Sequence, residues 1–265
     1  MPADSDRTGR EAAPYDVWAD FYDRLYESSF GGAYGVMTEM HLDLLRTDPP
    51  GRVLDVGAGT GRLAVPLAQA GHRVTAVEPS PRMLGVLVRK AAEAGVAGRI
   101  RALQRGIQAI TEDDVAGGDH DAAVCVFSAA HHLVEDTDLA RGLAQVWRCL
   151  RPGGSLLLGL HTPALLDAFR EARWQTAELP EAGGPVRWCL GARPRVGRPQ
   201  VLETHCEVIL PQGRTLVDRH VMRAWTELEV EVIARATGFG PLEPLGPVGT
   251  EEVFRLRRPA GRDGG

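Results

Sequence analysis

Cysteine is scarce in this chain. Four cysteines in 265 residues, Cys125, Cys149, Cys189 and Cys206, include no C-x-x-C pair. Neither a disulfide framework nor a zinc or other metal site is therefore expected, and thiols in apolar strands read as small hydrophobes. Long apolar runs are also missing. No uninterrupted stretch is long enough to span a bilayer, and "MPADSDRTGREAAP" at the start has no apolar signal core. The expectation is a cytoplasmic protein with no membrane partner. Excess positive charge is lacking too: 30 basic residues stand against 35 acidic ones, for a net charge of -5. Without a general basic field there is little to hold a phosphate backbone, so no nucleic-acid partner is expected. Internal repeats and low-complexity tracts are absent. What remains is ordinary for a globular protein, with 44% hydrophobic and 25% charged residues. The abundance of Ala, Gly, Pro and Arg reads as a compositional bias of the source genome.

Periodicity then divides the chain. Residues 1–13 and 259–265 read as frayed tails. From Tyr15, the apolar residues Trp18, Phe21, Tyr22 and Leu25 recur at helical spacing, and a second helix is expected from about 33 to 45. Together, 14–48 form an N-terminal helical lid. A strand–helix alternation follows over 49–161. "RVLDVG", "RVTAVE", "RIRALQ", "DAAVCVF" and "RPGGSLLLGL" are the strands, with helices at 60–70, 81–94 and about 138–150. Such alternation predicts an α/β fold, a doubly wound and mostly parallel sheet with helices on both faces. The rhythm changes after His161. Residues 162–185 read as partly helical and "PVRWCLGARPRVGRP" as broken by Pro and Gly. "VLETHCEVIL" and "TLVDRHVMRAW" alternate by two around "PQGR", as an antiparallel hairpin does. The segment 162–224 is thus an inserted antiparallel β cap after strand five. In 225–258 a helix opens at Thr226 with a capping box to Glu229 and stops at Gly238, and "EEVFRLR" is a last strand completing the core.

The chemistry concentrates after the first strand, in "VLDVGAGTGR". A first strand-to-helix turn rich in glycine suits either a dinucleotide or a nucleoside cofactor, because a residue without Cβ lets ligand and backbone approach closely. Spacing separates the two. Gly57, Gly59 and Gly61 alternate, and Arg62 stands where a dinucleotide fingerprint has its third glycine. Asp55 just ahead of the turn would repel a pyrophosphate but suits a cationic cofactor. Glu78, at the end of the second strand, is placed to accept from both hydroxyls of an unphosphorylated ribose. A nicotinamide oxidoreductase is disfavoured on these grounds.

"VLDVGAGTGR", "VTAVEPSPRML" and "LRPGGSLLL", in that order, resemble three motifs of the class I S-adenosylmethionine-dependent methyltransferases. The resemblance covers about residues 50–161 strongly and the C-terminal elements weakly. It implies S-adenosylmethionine as cofactor and S-adenosylhomocysteine as product. Asp55, Gly57, Ala58, Gly59 and Gly61 would hold the methionine end and Glu78 the ribose. Pro79 and Met83 would sit beside the adenine, with Gly106, Ile107 and Gln108 lining its pocket. "RGIQAI" lacks the acidic residue that many members place there, so Gln108 would accept from the adenine amine through its amide oxygen. Phe127 would face the cofactor. Tyr15 and Tyr22, an i, i+7 aromatic pair, are candidates to gate it from the lid, against simple helix packing.

"DAAVCVFSAAHHL" lacks the Pro-Pro-aromatic motif of adenine-methylating enzymes. It resembles instead small-molecule methyltransferases of the glycine and amino-sugar N-methylating kind. That resemblance implies transfer to N or O of a small acceptor, with a role in bacterial secondary metabolism, a closing N-terminal helix and an insertion that roofs the acceptor. His132, and after it His131, are the candidates for base or acceptor-orienting group. Against each stands a plain surface role as a cap for the next helix. Tyr15, Trp18, His205 and His220 are candidates for contact with the acceptor, against helix packing or solvent exposure. Trp188 and Trp225 read as packing before substrate walls, and the acids of "EDTD", Asp113 and Asp114 as solvated loop charges. Two rival readings keep the same cofactor pocket: an enzyme that cyclises or rearranges without transferring methyl, and a catalytically silent binding module. The inserted hairpin offers an edge for pairing across a homodimer.

Overall fold

The computed structural model describes residues 13–46, 49–111, 114, 119–162, 166 and 168–260. The expected tails, but for Ala13 and for Pro259 and Ala260, and the acid Asp113 lie outside the described residues.

Seven strands form the main sheet: β1 (Arg52–Val56), β2 (Arg73–Val77), β3 (Ile100–Leu103), β4 (His120–Cys125), β5 (Leu150–His161), β10 (Glu243–Val248) and β11 (Glu251–Arg257). Their order is β10-β11-β5-β4-β1-β2-β3. The pairs β4–β5, β4–β1, β1–β2 and β2–β3 are parallel, and β11 runs antiparallel to β5 and β10. The direction of winding reverses between β1 and β4, which opens a crevice at their carboxyl ends.

Strand alternation feeds a core on each face. Val53, Val74, Ala76 and Val124 point to one side, where α3 (Ala64–Gln69) and α4 (Pro81–Glu93) pack through Leu67, Met83, Val86 and Leu87. Leu54, Val56, Ala123 and Leu156 point to the other. There α5 (Asp136–Cys149) and α6 (Glu227–Ala236) supply Leu139, Leu143, Val146, Val230 and Ala234. Each fully buried Leu or Val contributes roughly 1.5–3 kcal/mol of hydrophobic stabilisation. The capping box at Thr226 is present with both reciprocal bonds to Glu229.

A second sheet, β6-β7-β8-β9, is antiparallel throughout and lies after β5 in the chain, as β6 (Gln175–Leu179), β7 (Gly184–Arg195), β8 (Arg198–Ile209) and β9 (Thr215–Arg223). It is larger than the single expected hairpin. The segment read as broken, around 186–200, is instead β7 turning at Gly197 (φ +78°) into β8. Pro194 is tolerated because β6 pairs only with Gly184–Trp188, so no neighbour needs an N–H from Pro194 on that side. Within 162–185 the described helical backbone is confined to Leu166, Ala168 and Phe169, and a 3-10 turn at Pro180–Ala182.

The N-terminal segment also departs from expectation. Tyr15 does not begin a helix but sits in the left-handed region (φ +65°), followed by a 3-10 segment, Asp16–Phe21, kinked at Trp18. Only then do α1 (Tyr22–Phe30) and α2 (Ala33–Leu45) follow. Trp18 stacks on Tyr22 at 5.4 Å between centroids, and Tyr22 meets Tyr26 at 4.6 Å. This aromatic ladder wedges between the two sheets, with Trp188 of β7 tilted against Trp18 at 6.2 Å. No helix among the described residues is long and apolar enough to cross a membrane.

Candidate active site

A cavity of about 630 Å³ opens at the carboxyl ends of β1, β2 and β4 and continues under the second sheet. Its floor is the glycine turn. Gly57 (φ +70°) and Gly59 (φ +54°) line it in conformations that a side chain rarely adopts. A Cβ on Gly57 would lie 2.6 Å from that of Ala129. Gly61 has a different task. Its missing Cβ would be 2.9 Å from Leu87 Cγ, so it admits α4 to the sheet and does not line the cavity. Ala58 is likewise behind the wall, its N–H donated to the Val77 carbonyl at 3.1 Å.

Two buried carboxylates stand at this end. Glu78 lines the cavity, its Oε1 accepting from the Ser80 N–H at 2.8 Å and its Oε2 from the Gly59 N–H at 3.0 Å. A carboxylate has lone pairs left after two such bonds. Burial pushes the Glu78 carboxyl up to about 7 despite those bonds. Asp55 lies beneath the turn, not on the cavity surface, and its Oδ2 has no hydrogen-bond partner among the described residues. Burial pushes it up to about 7 as well, with Arg62 pulling the other way and Glu78 adding repulsion. Both groups gain from a nearby positive charge.

Pro79, Met83, Gly106, Ile107 and Gln108 line the cavity together beyond Glu78. Ser80 caps α4 by accepting from the Met83 N–H at 3.1 Å. Its hydroxyl in turn donates to Asp16 Oδ1 at 2.5 Å, and the same oxygen accepts from the Arg82 N–H at 3.0 Å. The N-terminal segment is thereby tied to the helix that follows Glu78, with its carboxylate at the positive end of that helix.

Phe127, at the end of β4, lines the cavity in a left-handed conformation (φ +55°), as does the next residue, Ser128 (φ +75°), though not on the cavity wall. Two such residues in succession cost on the order of 1–3 kcal/mol each. The buried Glu251 of β11 holds them, accepting from the Phe127 N–H and from the Ser128 N–H at 3.2 Å. Arg62 lies over the Phe127 ring at 4.7 Å.

Tyr15, Tyr22, His132 and His220 line the other end. Tyr15 makes edge contacts with His132 at 5.5 Å and His220 at 4.8 Å, and the two imidazoles are 5.0 Å apart. Burial holds His132 down to about 3, and neither of its ring nitrogens has a hydrogen-bond partner among the described residues. Three of the candidates expected at this end do not reach the cavity. His131 is fully buried in the fold, donating from Nδ1 to the Arg223 carbonyl at 2.7 Å and accepting at Nε2 from the His161 N–H at 2.9 Å. Trp18 is fully buried in the aromatic ladder, its indole N–H 3.4 Å from Asp218 Oδ2. His205 is on the outward face of β8, paired with Glu207 at 2.6 Å, because alternation gives Thr204 and Cys206 to the inside. Of the tryptophans weighed as walls, Trp225 is buried and donates to the Leu133 carbonyl at 3.0 Å. Trp188 borders a smaller cavity of about 280 Å³ on the Tyr26 side of the ladder.

Sequence reasoning missed Asp218, Glu251, Glu203 and Arg219. Asp218 had a visible signal, since D-x-H on an alternating strand puts both side chains on one face. Glu251 had none, because its role exists only through the pairing of β11 with β5.

The strand order, the glycine turn at the switch point and the acid after β2 define a class I S-adenosylmethionine-dependent methyltransferase fold. Residues 53–154 match the methyltransferase domain family. The Geobacillus sp. (strain WCH70) protein named "Putative methyltransferase GWCH70_2453" is 30% identical over 160 residues, which cover 60% of this chain and 62% of that one. The chain spans about half the length of other curated relatives it matches. Among solved structures, the CcbJ methyltransferase from Streptomyces caelestis aligns with a TM-score of 0.75 at 22% identity, over 95% of this chain and 100% of that one. S-adenosylmethionine-bound CalS10, an amino pentose methyltransferase from Micromonospora echinaspora, aligns with a TM-score of 0.65 at 19% identity, over 94% and 99%. At such identities these likenesses establish the fold. The residues of this chain fit the cofactor: a cradle that a Cβ would fill, an acceptor carboxylate on the wall, and an unpartnered buried carboxylate oxygen behind it.

Proposed function

We propose that this chain is an S-adenosylmethionine-dependent methyltransferase that acts on N or O of a small molecule. The observation that carries the reading is one continuous cavity with a different chemistry at each end. One end has Glu78 and the bare backbone of Gly57 and Gly59; the other has Tyr15, His132 and His220. When bound, the cofactor supplies a methyl group made electrophilic by its sulfonium. Glu78 accepts from the ribose hydroxyls, and the Gly57–Gly59 backbone lies against the methionine end. Pro79, Met83, Gly106, Ile107 and Gln108 flank the adenine, with Gln108 as the amide acceptor. Asp55 contributes negative charge from behind the turn. Tyr22 and Phe127 exclude water, and the N-terminal segment closes the cavity as a lid. His132, neutral because it is buried, orients the acceptor. Positioning and water exclusion account for most of the acceleration such a displacement needs. The likeness to CalS10, an amino pentose methyltransferase involved in calicheamicin biosynthesis, supports a role in secondary metabolism.

Calorimetric titration with S-adenosylmethionine, S-adenosylhomocysteine and NAD in parallel tests this. Micromolar-range binding of the two sulfur compounds and none of NAD is expected. A panel of amines and alcohols, read by release of S-adenosylhomocysteine, then identifies the acceptor. Failure of both sulfur compounds to bind would overturn the reading.

A further inference from the structure

The proton balance of this reaction leads to a second histidine. Methylation of an N–H or O–H acceptor leaves a proton that some group must take. We propose that this group is His220, with Asp218 as its positioning residue; the inference rests on the methyltransferase reading above. As the acceptor's lone pair bonds to the methyl carbon, the carbon–sulfur bonding pair stays with sulfur. The proton leaving the acceptor's N or O bonds to the Nε2 lone pair of His220 and passes from there to water.

The geometry of β9 prepares the pair. Asp218 and His220 are two residues apart on one strand, so both project to the same face, under the second sheet. Asp218 Oδ2 lies 3.3 Å from His220 Nδ1, a charge contact outside hydrogen-bond geometry, and Nε2 has no hydrogen-bond partner among the described residues. The same oxygen accepts from the Tyr15 N–H at 2.8 Å and faces the Trp18 indole N–H at 3.4 Å. Those donors keep the carboxylate in place, and its contacts with His220, Tyr15 and Trp18 hold it below the usual carboxylate range against the cost of burial. An ionised oxygen beside Nδ1 selects the tautomer with the proton there and leaves Nε2 as the base. The Thr204 hydroxyl also donates to the His220 carbonyl at 2.8 Å, which fixes the backbone of that residue.

His132 is a poor alternative for the proton. The ring nitrogens of both histidines have no hydrogen-bond partner among the described residues; what separates them is the Asp218 carboxylate 3.3 Å from His220 Nδ1, and the burial that holds the basicity of His132 far down. The titratable and charged groups around His220 are Asp218 and Arg219 on its own strand, Glu203 on β8, His132 on the turn after β4 and Tyr15 on the N-terminal segment. Of these, Asp218 alone touches a ring nitrogen of His220.

Long-range nitrogen–proton NMR of the imidazoles in the cofactor-free chain tests the pair. The expected result is an Nδ1–H tautomer for His220 at neutral pH. In Asp218→Asn the Nδ1–H preference is lost, as removal of the adjacent carboxylate requires. His132→Gln leaves the His220 tautomer unchanged. An Nε2–H tautomer in the wild-type protein overturns the proposal without recourse to any variant. Diethyl pyrocarbonate is the chemical probe. The peptide with His220 is labelled before that with His132, and more slowly in Asp218→Asn; the reverse order also overturns the proposal. On an acceptor found by the panel, His220→Gln lowers kcat by about 10²–10⁴-fold and removes the acidic limb of the pH–rate profile. Its S-adenosylmethionine affinity, measured by calorimetry, stays at the wild-type value. A retained acidic limb counts against His220, whereas loss of cofactor binding by the wild-type protein counts against the methyltransferase reading.

Discussion

Asp55 is the residue whose electrostatics are most exposed to test. Its carboxyl, raised to about 7 by burial, is protonated in the folded chain at pH 5 but ionised there at pH 8, while the unfolded chain is ionised at both. A raised carboxyl adds stability that is complete below the unfolded value, near 4, and is lost as pH rises through about 7. The ligand-free protein therefore bears the cost of this buried charge in full only on the alkaline side. Asp55→Asn removes the titration. Relative to wild type, the variant gains on the order of 2 kcal/mol between pH 5 and pH 8. At roughly 2–4 °C per kcal/mol for a chain of this size, thermal melts resolve that difference. Parallel melting of the two proteins at both pH values would show that the carboxyl is not held protonated. The same substitution weakens binding of S-adenosylmethionine by about fivefold, since a charge beneath the turn acts on the sulfonium without touching it. Calorimetry at pH 8 reads that loss directly.

At the scale of elements, the joint between the N-terminal segment and α4 decides how tightly the cavity closes. Asp16 bonds Ser80 and the Arg82 N–H, Asp20 pairs with Arg82 at 2.8 Å, and Asp23 pairs with Lys90 at 3.0 Å. The Asp20–Arg82 pair is exposed and Asp23–Lys90 only partly sheltered, so each contributes little, whereas Asp16 sits on the cap of α4 beside Glu78. Asp16→Ala is expected to speed dissociation of S-adenosylmethionine about tenfold, with a loss of roughly 1–2 kcal/mol in stability. Stopped-flow fluorescence, with the aromatic ladder as reporter, measures the rate; an unchanged rate would mean that the segment does not act as a lid. This joint was not legible in the sequence, because the contacts of Asp16 span 64 residues or more. The parallel core was legible, since each of β1 to β5 is a short apolar run between turn signals. β10 was not singled out, because "EPLGPV" has two prolines, which its position at the sheet edge tolerates. In the site, Glu78, Gly57 and Gly59 could be read from local spacing, whereas Gly61, which packs α4 on the sheet, could not be told from them. His205 and His220 could not be told apart, because strand register relative to the cavity is set by packing of the second sheet.

The molecule as a whole balances two opposed sets of buried titrating groups, and its acid response follows from their difference. Burial holds His41 and His131 down to about 4, His132 to about 3, His161 well below its ordinary value, and His120 lower than usual. Such histidines are neutral in the folded chain and protonated in the unfolded one below about 6.5. Their contribution is complete above that value and is lost as pH falls from there through about 4. Asp55 and Glu78, raised to about 7, and Glu251, also raised, work in the opposite sense over much of the same window. The histidines outnumber these carboxyls, so the ligand-free protein loses stability on acidification, but gently, between pH 6.5 and 5. Below about pH 4 the carboxylates held low, Asp121, Asp218 and Glu229, take up protons as well, and the loss steepens. A bound cation beside Asp55 and Glu78 favours their ionised forms and removes those two from the opposing set. With saturating S-adenosylmethionine, the fall in melting temperature between pH 7 and 5 is therefore expected to be steeper than without it, and the stabilisation by the cofactor to shrink over the same interval. Thermal melts at half-unit steps of pH, with and without the cofactor, read both slopes. Equal slopes would mean that the cofactor does not shift these carboxyls, and that its positive charge lies away from the Asp55–Glu78 end of the cavity.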